Sequence, residues 1–137
     1  MYIVKSTALT TGTSGEYLAA SVLQRHFKAI AFPNLPTPYD LILEAYDGRF
    51  LKCQVKTCDI INTINGCRYW KFNTGKSKKQ YTADEVDFFA LVSLPRRLIF
   101  CMSFDEIGAI HTTRLRETQF TERAETESIN KVLGDYL

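Results

Sequence analysis

Apolar residues recur at helical spacing at Gly15, Leu18, Ala19, Val22 and Leu23, and predict a helix over residues 15–27 with Thr13 or Ser14 as its N-cap. A short apolar piece, residues 29–32, follows. Pro33, Pro36 and Pro38 then make a connector that cannot be helical. Residues 39–46 and 49–57 are rich in β-branched, aromatic and long apolar side chains and flank Asp47-Gly48, a strong hairpin signal. Residues 67–73 (CRYWKFN), 85–94 (EVDFFALVSL) and 98–102 (LIFCM) read as further strands, the last two around the turn Pro95-Arg96-Arg97. At the C-terminus, Ile129, Val132, Leu133 and Tyr136 stand at i, i+3, i+4 and i+7, which predicts a closing amphipathic helix over residues 125–136. Helix, mixed strands and helix imply an α/β or α+β architecture with a sheet that begins antiparallel.

The predicted strands raise a chemical question, because Gln54 and Lys56 stand two apart on one face of a strand that otherwise reads as core. In an antiparallel hairpin, Asp40 shares that face only if the numbers of paired residues sum to an even value. A two-residue Asp47-Gly48 loop pairs Tyr46 with Arg49 and gives an odd sum. A three-residue loop, Tyr46-Asp47-Gly48 with Gly48 in the left-handed conformation, pairs Ala45 with Arg49 and brings Asp40 opposite Gln54. Asp-Gly suits both turns. If the three side chains meet, a carboxylate, an amide oxygen and a strand carbonyl such as that of Val55 are hard ligands suited to Mg²⁺ or Mn²⁺. Lys56 beside them could hold an attacking water or a phosphoryl oxygen, a constellation for phosphodiester hydrolysis. The alternative is a solvated strand face with nothing bound.

Composition narrows the class. The chain has 137 residues, 45% hydrophobic and 23% charged, which suits one domain spanning 1–137 and closed by a C-terminal helical extension. A net charge of +2 leaves the partner to local clustering. No basic leader followed by an apolar stretch and no run of membrane-spanning length is present, so a soluble cytoplasmic protein is expected. Cys53, Cys58, Cys67 and Cys101 have no C-x-x-C spacing and read as reduced buried thiols, not zinc ligands.

The order of motifs supplies a resemblance. The stretch TGTSGEYLAASVLQRHF, then PYDLILEAYDGRFLKCQVKTC, then YTADEVDFFALV, is similar to the PD-(D/E)XK nuclease superfamily. It resembles in particular the small branch that includes homing endonucleases of group I introns, in which Gln-x-Lys replaces the acid-x-Lys motif. The resemblance implies a restriction-endonuclease-like α/β fold with a mixed central sheet flanked by helices. It implies an active site of Glu16, Asp40, Gln54 and Lys56, with Asp40, Gln54, Val55 and Glu16 as the metal ligands. Mg²⁺, with Mn²⁺ as the other candidate, is the implied cofactor. Tyr39 stands where the family name has proline, with Pro38 one residue earlier. Neutral Gln54 attracts a cation less than a carboxylate and leaves more of the work to Glu16.

The implied activity is sequence-specific cleavage of double-stranded DNA, of homing or restriction type. A junction-resolving or repair nuclease and a non-cleaving DNA-binding or assembly module are the alternatives on the same fold. Candidate DNA contacts are Lys71, the loop lysines Lys76, Lys78 and Lys79, the pair Arg96 and Arg97, and Arg114 and Arg116 in the segment RLRETQFTER. Tyr69 and Trp70 read as packed residues. A chain this small covers few base pairs, so a homo-oligomer, a dimer or a tetramer, is expected, with active sites facing opposite strands.

Overall fold

The structure is a computed structural model that describes residues 7–75, 81–107 and 111–136, with side chains placed through Gly134. Lys76, Lys78, Lys79 and the Tyr136 side chain therefore lie outside the described residues.

The first helix, α1, spans Ala8–Leu23 and starts seven residues before the apolar pattern predicts. Thr7, not Thr13 or Ser14, is its N-cap: Thr7 and Thr10 exchange reciprocal side-chain to backbone bonds of 2.7 and 3.2 Å. A side-chain cap contributes about 1 kcal/mol. The first two turns carry no apolar stripe because they pack on little; Leu9 is 80% exposed, whereas Gly15, Ala19 and Leu23 are buried.

Strand β1 (Ala29–Ala31) pairs antiparallel with β2 (Leu41–Glu44), and β2 pairs antiparallel with β3 (Phe50–Cys58). The hairpin takes the three-residue turn. Ala45 N–H donates to the Arg49 carbonyl at 2.8 Å, and Gly48 has φ +90, a conformation that costs glycine nothing. Beyond it run β4 (Asn62–Ile64), β5 (Cys67–Asn73), β6 (Phe88–Ser93) and β7 (Leu98–Ser103). Strand β6 lies parallel to β3 and antiparallel to β7, so the five-stranded sheet β1-β2-β3-β6-β7 is mixed. All six residues of β6 are buried because both faces of this central strand are covered. The predicted strand from Glu85 begins later, since residues 82–85 form a turn and Asp87 anchors the strand start through a 2.7 Å bond from the Lys52 N–H.

A short helix α2 (Phe104–Ile107), strand β8 (Thr112–Arg116), a 3-10 turn (Glu117–Gln119) and helix α3 (Glu122–Tyr136) complete the chain. Helix α3 starts before Glu125 because the Thr121 hydroxyl accepts the Ala124 N–H at 3.1 Å. Strands β4, β5 and β8 form a second, antiparallel sheet, which the sequence pattern leaves unassigned apart from β5.

Two cores separate three layers. Ala19, Leu23 and Phe27 with Ile129 and Val132 of α3 pack on one face of the large sheet, against Leu41, Cys53, Val55 and Phe88. Trp70, Phe72, Leu115 and Phe120 cover the other face, against Phe89 and Leu91. The packed position expected for Trp70 is therefore observed. Burial pushes the Cys53 and Cys101 thiols up, and both stay in the core. The expectation of buried thiols fails for Cys67, which is exposed, and for half-buried Cys58, because β5 turns Cys67 to the outer face of the small sheet.

Candidate active site

Register decides where Asp40 goes. The paired register of the hairpin ends at Leu41 and Cys53, and Asp40 follows just beyond its last pair. The Asp40 N–H donates to the Cys53 carbonyl at 2.8 Å, and its Oδ2 accepts the Val55 N–H at 2.8 Å. The side chain thus takes the place of the strand carbonyl that would next satisfy β3. Its carboxylate is turned toward the edge of β3, and simple alternation of faces does not describe it.

Glu16 reaches the same place from α1. Gly15 makes this approach possible, because a Cβ there would lie 1.8 Å from Thr57 Oγ1 of β3. Glu16, Asp40, Gln54 and Val55 line one recess of about 230 Å³. Desolvation first, then a hydrogen bond to Asp40 and repulsion from its charge, raise the Glu16 carboxyl to about 7. Two acids forced together in this way are a place where a cation is favoured. Gln54 is 9% exposed, and its amide NH₂ donates to the Val55 carbonyl at 3.4 Å.

Lys56 lines the neighbouring recess with Thr57, Asp59, Thr7 and Thr11, and the two recesses have Ala8, Gly12 and Val55 in common. Its ammonium donates to Tyr81 Oη at 3.1 Å and lies 5.2 Å from the ring centroid. No local pattern in the sequence marks Tyr81 for this contact with Lys56. What the sequence does show is its place just before the acidic-aromatic segment that becomes β6. Asp87, by contrast, accepts a backbone N–H and holds two strands together, while Asp47 binds Arg49 within the hairpin turn.

The candidate DNA contacts separate into groups. Lys71, Arg114 and Arg116 come together on the outer face of the small sheet. Arg96 is tied to Glu117, which also pairs with Arg68 at 3.3 Å. Arg97, at φ 54 in the β6–β7 turn, lines a separate cavity with Arg25, His26, Glu122 and Glu125. No helix among the described residues is long and apolar enough to cross a membrane.

The sequence pattern of the PD-(D/E)XK endonuclease family matches residues 10–132. Among solved structures, that of a bacterial homing endonuclease, I-Ssp6803I, superposes with a TM-score of 0.70 at 18% identity, covering 96% of this chain and 96% of that one. At that identity the likeness speaks for the fold, a mixed sheet flanked by helices as in restriction endonucleases. No curated protein sequence matches the chain significantly.

Proposed function

Because the chain belongs to the PD-(D/E)XK endonuclease family, we propose that it is a metal-dependent, sequence-specific endonuclease of double-stranded DNA, of homing or restriction type. The observation that carries this reading is the Glu16 carboxyl pressed against Asp40 in a recess with Gln54 and Val55. The donors suit Mg²⁺, or Mn²⁺: the Asp40 and Glu16 carboxylates, the Gln54 amide oxygen and the Val55 carbonyl would hold it. All are hard oxygens, and Mg²⁺ typically takes one or two carboxylates and keeps several waters. When bound, the ion supplies a lowered water pKa and compensation for charge on the phosphate.

The chain's own residues do the positioning. The Val55 N–H holds the Asp40 carboxylate in one orientation. Glu16 changes protonation state near neutrality and so makes the charge of the recess depend on pH. Lys56 offers an ammonium to the attacking water or a phosphoryl oxygen, aimed by Tyr81.

Neutral Gln54 and the presence of only two acids in the recess favour a second reading, a DNA-binding or assembly module that does not cut. A Holliday junction resolvase or repair nuclease would use the same residues on another substrate. Supercoiled, linear and four-way-junction DNA, each incubated with Mg²⁺ and with EDTA, separate the three. The proposal expects duplex cut at fixed positions with Mg²⁺ and intact in EDTA. Cleavage confined to the junction supports the resolvase, and binding without cleavage in Mg²⁺ and Mn²⁺ supports the module.

A homo-oligomer, a dimer or a tetramer, belongs to the same proposal. Cutting both strands takes two active sites of opposite polarity, which symmetric copies supply. The exposed apolar residues Leu9, Tyr17, Phe32 and Leu35, at 80, 64, 47 and 71% exposure, are consistent with such contacts.

A further inference from the structure

The small sheet has an unusual outer face. Along β5 and β8 the register sets Tyr69 opposite Arg116, Lys71 opposite Arg114 and Asn73 opposite Thr112, all on the side away from buried Trp70, Phe72 and Leu115. Strands β4, β5 and β8 contain no Asp or Glu. Like charges placed directly opposite in a ladder destabilise it, yet Lys71 faces Arg114 and neither forms an ion pair with a described residue. The Arg114 guanidinium lies 5.9 Å from the Tyr69 ring centroid, which holds its stem against the sheet. The nearest acid, Glu117 at the end of β8, lines a recess with Arg116 but is paired with Arg68 and Arg96, so the apposition of Lys71 and Arg114 leaves that face suited to an anionic partner.

From this arrangement we infer that the outer face of β5 and β8 is the base-reading surface of the protein and enters the major groove of duplex DNA. The inference rests on the DNA-endonuclease reading and adds which residues select the sequence. A two-stranded ribbon fits a major groove about 12 Å wide. Side chains two residues apart on a strand stand about 6.8 Å apart, close to two base-pair steps of about 3.4 Å. Arg114, Arg116 and Lys71 are donors for guanine O6 and N7, and Asn73 has the paired donor and acceptor that match adenine N6 and N7. The inner face, packed on Phe120, gives these side chains a firm base: Trp70 and Phe72 lie 6.1 and 6.0 Å from that ring.

The sheet is also tethered to the active site. Six Cα-to-Cα steps, across five intervening residues, lead from Lys56 to Asn62, the start of β4. They span at most about 20 Å, less than the roughly 34 Å of one duplex turn. A phosphate at Lys56 therefore leaves the small sheet within reach of the same stretch of DNA.

The test uses the full chain carrying Lys56→Ala, so that bound duplex survives, with Mg²⁺ and a pool of duplexes randomised over 20 base pairs. Bound DNA is recovered and sequenced, then the selection is repeated with Lys71→Ala, Arg114→Ala or Arg116→Ala added. The expected result is base enrichment with the parent protein. Each added change should flatten it over one to three adjacent base pairs and weaken binding of the selected duplex by about tenfold to a hundredfold. Lys71→Glu, which places a carboxylate opposite Arg114, should do the same without lowering the melting temperature, and so separates recognition from folding. Enrichment identical in all variants overturns the inference and leaves the endonuclease reading standing. Weaker binding with the enrichment pattern preserved also overturns it, since phosphate contact alone would explain the loss. Failure of the parent protein to retain any duplex overturns both.

Discussion

The Asp40 carboxylate accepts the backbone N–H of Val55 at 2.8 Å, so the residue proposed to hold the metal also completes the hydrogen bonding of the strand that carries Gln54 and Lys56. Structure and chemistry can be separated at this position. Asp40→Asn keeps an acceptor for Val55 but removes the charge, and should lower cleavage by about a hundredfold or more with little change in melting temperature. Asp40→Ala removes the acceptor as well and should cost about 1–3 kcal/mol of stability in urea unfolding. Cleavage by the Asn variant at the wild-type rate would show that the charge at Asp40 is not needed.

Tyr81 aims Lys56. Tyr81→Phe leaves the ring beneath the ammonium but removes its oxygen partner at 3.1 Å. Single-turnover cleavage should fall by roughly tenfold, less than the ~100-fold that an ångström of misplacement costs, while DNA affinity holds. An unchanged rate would leave Tyr81 as a packing residue only.

Glu16 makes stability depend on pH in a predictable direction. Its folded carboxyl sits at about 7 against an ordinary 4.5, so between those values the folded chain holds more protons than the unfolded one. The stabilisation it contributes is complete below the ordinary value and is lost as pH rises through about 7. Without divalent ions, the melting temperature of the wild type relative to Glu16→Gln should therefore fall from pH 5 to pH 8. Mg²⁺ should recover it at pH 8, because binding favours the ionised pair. A difference between the two proteins that is flat with pH would contradict the shift.

Two glycines of α1 should respond differently to alanine. Gly15→Ala places a methyl against Thr57 and should destabilise by about 1–3 kcal/mol. Gly12 has nothing within 4 Å of such a methyl, and alanine there should stabilise by about 0.5–1 kcal/mol through helix propensity. Thermal melting of both variants checks the pair.

The comparison of sequence and structure separates what periodicity carries from what it does not. The hairpin, the buried run of β6 and the apolar stripe of α3 are legible because each is patterned by a face it buries. The first two turns of α1 are not, because Thr7 and Thr10 set their start and little packing marks them. Strands β4 and β8 are short, exposed and polar on one side, and β8 is completed by pairing with β5, which is 39–47 residues distant in sequence across the ladder. Spacing singles out Asp40, Gln54 and Lys56, of which Asp40 and Gln54 line one recess and Lys56 the neighbouring one, and the three-residue turn is one of two that Asp47-Gly48 allows. The turning of Asp40 toward the Val55 N–H, and the contact of Tyr81 with Lys56, depend on tertiary contacts that no local pattern encodes.

The central claim is that the recess of Glu16, Asp40 and Gln54 works with a divalent ion, and with Lys56, to hydrolyse DNA. It is tested most directly by the single-turnover cleavage rate of the duplex recovered by selection, measured across Mg²⁺ concentrations for the wild type and Lys56→Ala. The wild-type rate should rise from zero in EDTA to a plateau, while Lys56→Ala binds the same duplex and leaves it intact at every Mg²⁺ concentration. Cleavage that persists in EDTA, or that Lys56→Ala performs at the wild-type rate, would contradict the account.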